Sequence, residues 1–501
     1  MTANWRVGYK NPVLAEMDRR KHSSELAKNK RNGKKVPEPN TPESEPQVVN
    51  IREGLETKLF DRGDHVELAD RLVSILRSEA PTVFAEGHLW QYDHAAHIYK
   101  QVEPAEVSQV VQRFAGKLVK GKKERYPLRL KSTDIAGTMK LAQDQVADGS
   151  FFADAPKGLV FANGFVEVLS EQTIVHENSP EHRARFAYSF AFDRNRDPSQ
   201  WLHFLGQVFE GDTDAREKIM LLQEFGGTAL LGLCTTYQIA VVAVGDGANG
   251  KSVLARVVAA VMPPGACCSI APQDFGQEYR RALLAGKLLN VVSELPEADI
   301  LESEAFKSVV TGDSTTGREI RQSPFTFRPI AGHMFAANRL PGTVDQSHGF
   351  WRRFILVPFN RIFLKHEQDP ELAERLIRDE LPAIVAWFLT GAQRVQLLKR
   401  YTIPASHAAA LATWKQNADQ VLAFIEAKCE RLDSTAEEYE WEAADRLYRH
   451  YKTWAGDNGH KALASNKFGE RMKLDGLGAK HTRDGNFYSV TLRDRTAGDG
   501  S

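Results

Sequence analysis

The sequence predicts an α/β chain: an open sheet with helices, set between an α+β domain and a small C-terminal module of helices and a hairpin. Three observations carry this prediction. The apolar run QIAVVAV (Gln238–Val244) passes through a glycine-rich loop into the helical pattern VLARVVAAV. Two later apolar runs, in KLLNVVSELPE (Lys287–Glu297) and GHMFAAN (Gly332–Asn338), each stop at a polar residue, as buried strands do where a sheet opens to ligand. The flanks mix helical and alternating periodicity.

At 501 residues with 42% hydrophobic content, the chain can bury several cores. Its apolar runs stop far short of the roughly 20 residues that cross a bilayer, so no membrane anchoring or export is expected, and the cytoplasm of a bacterial host is the expected location. Cys234, Cys267, Cys268 and Cys429 lack the spacing of a disulfide framework or a zinc knuckle, so no zinc is expected. Lys plus Arg equals Asp plus Glu at 65 each, so any nucleic-acid site must be local.

Residues 1–56 hold a basic block (Arg19–Lys35) and a proline-rich acidic block (Val36–Gln47). Neither can bury a core, which predicts a disordered tail and linker, either simply solvated or an arm that adds affinity for nucleic acid. Residues 57–200 read as an α+β domain. Its cluster KLVKGKKERYPLRLK (Lys117–Lys131), with Tyr126 inside, is either a charged surface face or a backbone-phosphate contact. His88, His94 and His97 lie close together but lack the cysteine or carboxylate partners of a metal site. Residues 201–237 read as a helical collar, 238–402 as the core, 403–435 as a helical connection, 436–492 as the terminal module and 493–501 as a disordered tail.

The loop GDGANGKS, formed by Gly245, Asp246, Gly247, Ala248, Asn249, Gly250, Lys251 and Ser252, has the GxxxxGK[ST] form in its required strand, loop, helix context. Its backbone N–H groups can point at phosphates while the helix N-terminus adds positive potential. Lys251 would bridge the β- and γ-phosphates of ATP, and Ser252 would hold Mg²⁺. Hydrolysis needs an acidic residue at the end of a neighbouring strand, and Glu294 stands there. The usual metal-holding Asp is replaced by Ser293, so Glu294 is read as the water-activating base and as a possible helper of Ser252 toward Mg²⁺. Asn338 ends a third buried run, where an amide can sense the γ-phosphate and position water. Arg352 and Arg353 precede the apolar FILVPF, and either is fit to meet charge on a transferring phosphoryl group or to form an ion pair at a strand start. A finger that acts on a neighbour's nucleotide would require an oligomer.

Between the acidic run and the Asn run, Ser303–Pro329 reads as a short helix with Lys307, a turn at Thr311–Asp313, and two strands around a tip at Arg321–Pro324. Arg318 and Arg321 near that tip could grip a phosphate backbone. The ordered set GDGANGKS, VVSELPE, FKSVVTGDSTTGREI, MFAANRLP and GFWRRFILVPF resembles superfamily 3 helicases, specifically the phage/plasmid and poxvirus primase-helicase family. The resemblance spans about Asp70 to Leu492. It implies an AAA+-like core in a homo-hexameric ring that translocates 3′ to 5′ on single-stranded or forked DNA during replication. It also implies Glu294 as the acidic catalytic residue, Asn338 as the sensor, Arg352 or Arg353 as the finger, and the segment with Lys307, Arg318 and Arg321 as the DNA contact. No paired acidic strand signature of a primase precedes Gly245, so primer synthesis is either not expected or belongs to a separate polypeptide, and a separate primase or polymerase is the partner that would follow.

The helix WEAADRLYRHYKTWAGDNG, the helix SNKFGERMKL and the strand pair GAKHTRDGNFYSVTL follow the order of a winged helix. Lys467, Arg471 and Lys473 on the second helix, with Lys480 and Arg483 on the wing, would contact DNA, or the module would scaffold the ring. Two other functions fit these features: a replication initiator that remodels DNA without processive unwinding, and a ring ATPase that acts on protein.

Overall fold

Five parallel strands form the centre of the molecule. In the computed structural model, residues 59–296, 303–320, 323–343, 345–432, 441–460, 462–474, 477–483 and 485–493 are described. The tail expected over residues 1–56 lies outside them, as does the tail expected over 493–501 apart from Arg493.

The central strands are β1 (Ala240–Val244), β2 (Cys267–Cys268), β3 (Leu289–Val292), β6 (Gly332–Ala337) and β7 (Phe354–Pro358). Their order across the sheet is β2-β3-β6-β1-β7, and every neighbouring pair runs parallel. β1, β3 and β6 are almost wholly buried, as strands covered by helices on both faces must be, which is why their sequences are runs rather than alternations. Strands β4 (Thr315–Gly317) and β5 (Phe325–Phe327) stand apart as an antiparallel hairpin.

The expected collar is three helices, α1 (Ser199–Val208), α2 (Ala215–Leu230) and α3 (Cys234–Tyr237). The core then adds α4 (Lys251–Val261), α5 (Glu278–Ala282), α6 (Ser303–Thr311), α7 (His348–Trp351), the long α8 (Leu372–Leu398) and α9 (Ser406–Asn417). Helices α2 and α8 touch backbone to backbone. A Cβ on Gly227 would lie 1.9 Å from the Phe388 carbonyl oxygen, so only glycine permits that approach. The buried Glu224 seals the joint by accepting from Arg394 Nε and the Thr402 N–H, both at 2.6 Å.

The N-terminal region divides. Phe60, Leu68, Leu72, Val111, Val119 and Val146 make a core of their own, whereas the meander Gly158–Phe161, Gly164–Val168 and Thr173–His176 contributes Leu159, Phe161 and Val166 to the buried cluster of the central sheet. At the other end, α10 (Gln420–Lys428) packs Val421 and Phe424 with Leu447 and Tyr451 of α11 (Ala444–Asp457), Phe468 of α12 (Ser465–Leu474) and Tyr488. Strand Gly485–Tyr488 pairs with Ala479–Thr482 on one side and Glu442–Ala443 on the other. The C-terminal module therefore starts one helix earlier than position 436. No described helix is long and apolar enough to cross a membrane.

Candidate nucleotide and nucleic-acid site

The glycine-rich loop leaves the carboxyl end of β1, the strand second from the edge. Its shape depends on backbone freedom: Gly247 and Gly250 have φ of +98° and +88°, and Ala248 also lies in the left-handed region at +49°. Three contacts hold it. Asn249, 2% exposed, donates to the Phe359 carbonyl at 3.3 Å; the Phe363 N–H donates to the Ala248 carbonyl at 2.8 Å; and a Cβ on Gly250 would stand 2.8 Å from Val208 of α1. Lys251 opens α4 and is 7% exposed, with its ammonium donating to the Gly245 carbonyl at 2.5 Å and to Asn249 Oδ1 at 2.9 Å. Burial lowers its pKa, opposed by the charge of Asp246. Anionic phosphate oxygens would offer that buried cation a stronger partner than two neutral carbonyls.

The strands next to β1 bring the other candidates to the same end. Val244 is level with Ala337 of β6 and Pro358 of β7, so Asn338 emerges beside Gly245. Glu294 follows β3 on the far side of β6, and the Leu295 N–H bonds the Ala336 carbonyl at 2.7 Å. Ser252, Glu294 and Asn338 are all exposed. A hydroxyl and a carboxylate are hard oxygen donors, a set that fits Mg²⁺, which takes one or two protein oxygens and completes its shell with phosphates and water.

Arg352 and Arg353 lie at the opposite, amino-terminal end of β7. Because Ala240 is level with Phe354, the run from Arg352 to the loop after Val244 is about 20 Å at ~3.3 Å per residue. Neither arginine can reach its own chain's phosphate loop. The two differ in surroundings: Arg352 is exposed and donates to Gln238 Oε1 at 2.8 Å, while Arg353 is 8% exposed and donates to Thr311 Oγ1 at 2.9 Å and to the Gly349 carbonyl. Burial lowers the pKa of Arg353, with the charge of Arg352 adding to the effect.

The hairpin β4/β5 has the expected strands, and Arg281 clamps its base by donating to the Thr316 carbonyl at 2.9 Å and the Phe275 carbonyl at 2.8 Å. Arg318 is exposed just past β4, and Arg321 lies outside the described residues. Lys307 does not join them: its ammonium is held by Glu304 and Asp345, each at 2.7 Å. In the C-terminal module Arg471 is likewise tied to Asp419 and Lys467 is 2.8 Å from Glu470; Lys467, Lys473, Lys480 and Arg483 are all exposed. Sequence reasoning missed Lys218. It is completely buried and bound to Asp212 and the Pro358 carbonyl, both at 2.8 Å, which locks α2 to the end of β7 beside the phosphate loop. The spacing of Asp214 and Lys218, one helical turn apart at 3.4 Å, was the only signal available.

Comparison with known proteins matches two separate stretches of the chain. Residues 243–353, from the end of β1 through Arg353, match a family of unknown function, DUF5906. Residues 416–499 match the family described as poxvirus D5 protein-like. A putative helicase, L207/L206 of Acanthamoeba polyphaga mimivirus, is 23% identical over 274 residues; the alignment spans 50% of this chain and 27% of that protein's length. Among solved structures, the A form of the apo NrS-1 C-terminal region covers 84% of this chain and 98% of its own at 9% identity and a TM-score of 0.41. Another A-form apo structure of the NrS-1 C-terminal region, given as residues 305–718, covers 85% and 100% at 10% identity and a TM-score of 0.40. The D5-like match is confined to the C-terminal stretch, and the putative helicase is matched over about a quarter of its own length.

Proposed function

We propose that the chain is an ATP-hydrolysing DNA helicase of the superfamily 3 type, with an AAA+-like core, that works as a homo-hexameric ring on single-stranded or forked DNA during replication of a phage, plasmid or other mobile element. One observation carries the reading. The phosphate loop, Glu294 and Asn338 stand at one end of a parallel sheet, and the exposed Arg352 stands at the other, about 20 Å from its own loop. A complete site then needs Arg352 from a second copy.

In such a joint site, Lys251 exchanges the Gly245 and Asn249 oxygens for phosphate oxygens, and the loop N–H groups hold the rest of the phosphate chain. Glu294 accepts the proton of the attacking water, Asn338 orients that water by donating and accepting, and the neighbour's Arg352 meets the charge that builds on the phosphoryl group. Ser252, with Glu294 nearby, would hold Mg²⁺, which would supply charge neutralisation at the phosphates. Arg353 is a structural residue in this reading. The hairpin carrying Arg318 converts closure of the interface into movement along one strand, and the C-terminal module acts as a winged helix through Lys473, Lys480 and Arg483. A separate primase supplies primers.

The test is ATP-dependent unwinding of two forked duplexes, one blocked on the 3′ arm and one on the 5′ arm, with Lys251→Ala as control. Displacement that requires a free 3′ arm and disappears in the variant is expected. DNA-stimulated hydrolysis with no displacement on either fork would overturn the helicase reading in favour of an initiator.

A further inference from the structure

The proposed mechanism leaves one cationic feature unused, at the far N-terminal end of the described chain. Residues Lys117–Lys131 carry seven cations (Lys117, Lys120, Lys122, Lys123, Arg125, Arg129, Lys131) against the single anion Glu124, in a protein whose Lys plus Arg equals its Asp plus Glu over the whole chain. They are not a floppy run. Strand Leu118–Lys120 pairs antiparallel with Arg125–Pro127, setting Val119 opposite Tyr126, and Leu118 and Val119 pair in parallel with Leu59 and Phe60. Val119 is completely buried against Gly63, Leu128 is 7% exposed, and Gly121 turns so tightly that a Cβ there would stand 2.2 Å from the Glu124 carbonyl oxygen. Asp61 engages Lys120. The rigid tip therefore presents Lys122, Lys123, Arg125 and Arg129 to solvent, with Tyr126 among them at 49% exposed.

We propose that this hairpin is a second single-stranded DNA site, with Lys122, Lys123 and Arg125 on successive phosphates and Tyr126 as a stacking platform for an unpaired base. Exposing an aromatic ring inside a cationic hairpin has no benefit for duplex DNA, whose bases are already stacked, but it matches a single strand, where charge follows the backbone and a ring accepts any base. A lipid surface would need an apolar face to insert, and beside Tyr126 the described hairpin exposes just Leu118, 39% exposed, and Pro127. The site rests on the helicase reading for the identity of its strand as DNA.

The test is fluorescence anisotropy of a labelled oligothymidylate of about 20 nucleotides, a length matched to the usual site sizes of such proteins, with the full chain and no nucleotide, so a chain that failed to hydrolyse ATP would still report on this site. The double variant K122Q/K123Q should weaken binding about tenfold and reduce the salt slope by about 1.4, two phosphates at ~0.7 each. Tyr126→Ala should weaken binding about 5- to 30-fold at an unchanged salt slope, and Tyr126→Phe should restore it. Wild-type affinity in all these variants would overturn the proposal. So would a neutral Tyr126→Ala combined with equal losses for duplex and single strand in K122Q/K123Q, which would mark a plain counterion surface. Independently of any substitution, photocrosslinking a bromouracil-substituted oligonucleotide to the wild-type chain should label the Lys117–Lys131 peptide; adducts confined to other peptides would overturn it.

Discussion

The two ends of the central sheet are built differently. At the carboxyl end the chain binds itself closely: Lys251 rests on its own loop, Asn249 reaches the Phe359 carbonyl, and the Phe363 N–H closes on Ala248. At the amino end one arginine is buried and fixed while its neighbour, Arg352, faces outward with one amide partner, Gln238. One end resembles a receptor prepared for phosphate, and the other resembles a side chain held out for something beyond the molecule. Adjacent residues of like charge can thus serve opposite ends, one holding the fold together and one reaching outward.

The largest expected effect separates the two ends directly. Arg352→Ala should retain ATP binding, read by a fluorescent analogue, yet lose turnover by on the order of 1,000-fold or more, the range of a trans-acting arginine. Mixing that variant with Lys251→Ala sharpens the comparison. If each site combines the loop of one copy with the arginine of the next, about a quarter of interfaces in a random equal mixture hold both intact halves, and activity should return from two inactive preparations. Failure of the mixture to regain activity would remove Arg352 from the site, since it cannot reach its own chain's loop.

Arg353→Ala should behave otherwise. It leaves the Gly349 carbonyl and the Thr311 hydroxyl without their buried donor, so thermal or urea unfolding should show a loss of about 2 kcal/mol. A fully stable protein with abolished turnover would exchange the roles of the two arginines.

A smaller effect concerns His333 near the amino end of β6. It lies 1% exposed, its Nδ1 is 3.2 Å from Asn290 Nδ2, and burial pushes its pKa down to about 3. The folded state keeps it neutral while the unfolded chain takes up a proton below about 6.5, so stability falls as pH drops through the window from 6.5 to 3. At pH 5 the loss should be about 2 kcal/mol, and His333→Gln should flatten that part of the pH dependence of urea unfolding. An unchanged slope would mean that His333 is not the group that titrates.

The core was legible because its signals are short in sequence. A buried strand, a glycine loop and a helix start within some two dozen residues are enough to place Gly245–Ser252, and the same reasoning placed Glu294 and Asn338 at strand ends. What could not be read depends on partners far along the chain. Nothing in FKSVVTGD says that Lys307 will meet Asp345, or in NKFGERM that Arg471 will meet Asp419, so both looked available for DNA. Adjacent arginines carry no mark of which one Thr311 will hold. The start of the C-terminal module was misplaced for the same reason: α10 has ordinary helical spacing, and only its packing against Leu447 and Tyr451 assigns it to the module.

The placement of β6 between β1 and β3 has a further consequence. Neighbouring strands lie about 4.8 Å apart, so the strand that ends at the phosphate loop and the strand that ends at Glu294 are separated by about 10 Å. The sheet acts as a ruler. That gap is wide enough for a terminal phosphoryl group and one water in line, and a backbone spacing, unlike a side-chain rotamer, is held by the ladder of hydrogen bonds between strands.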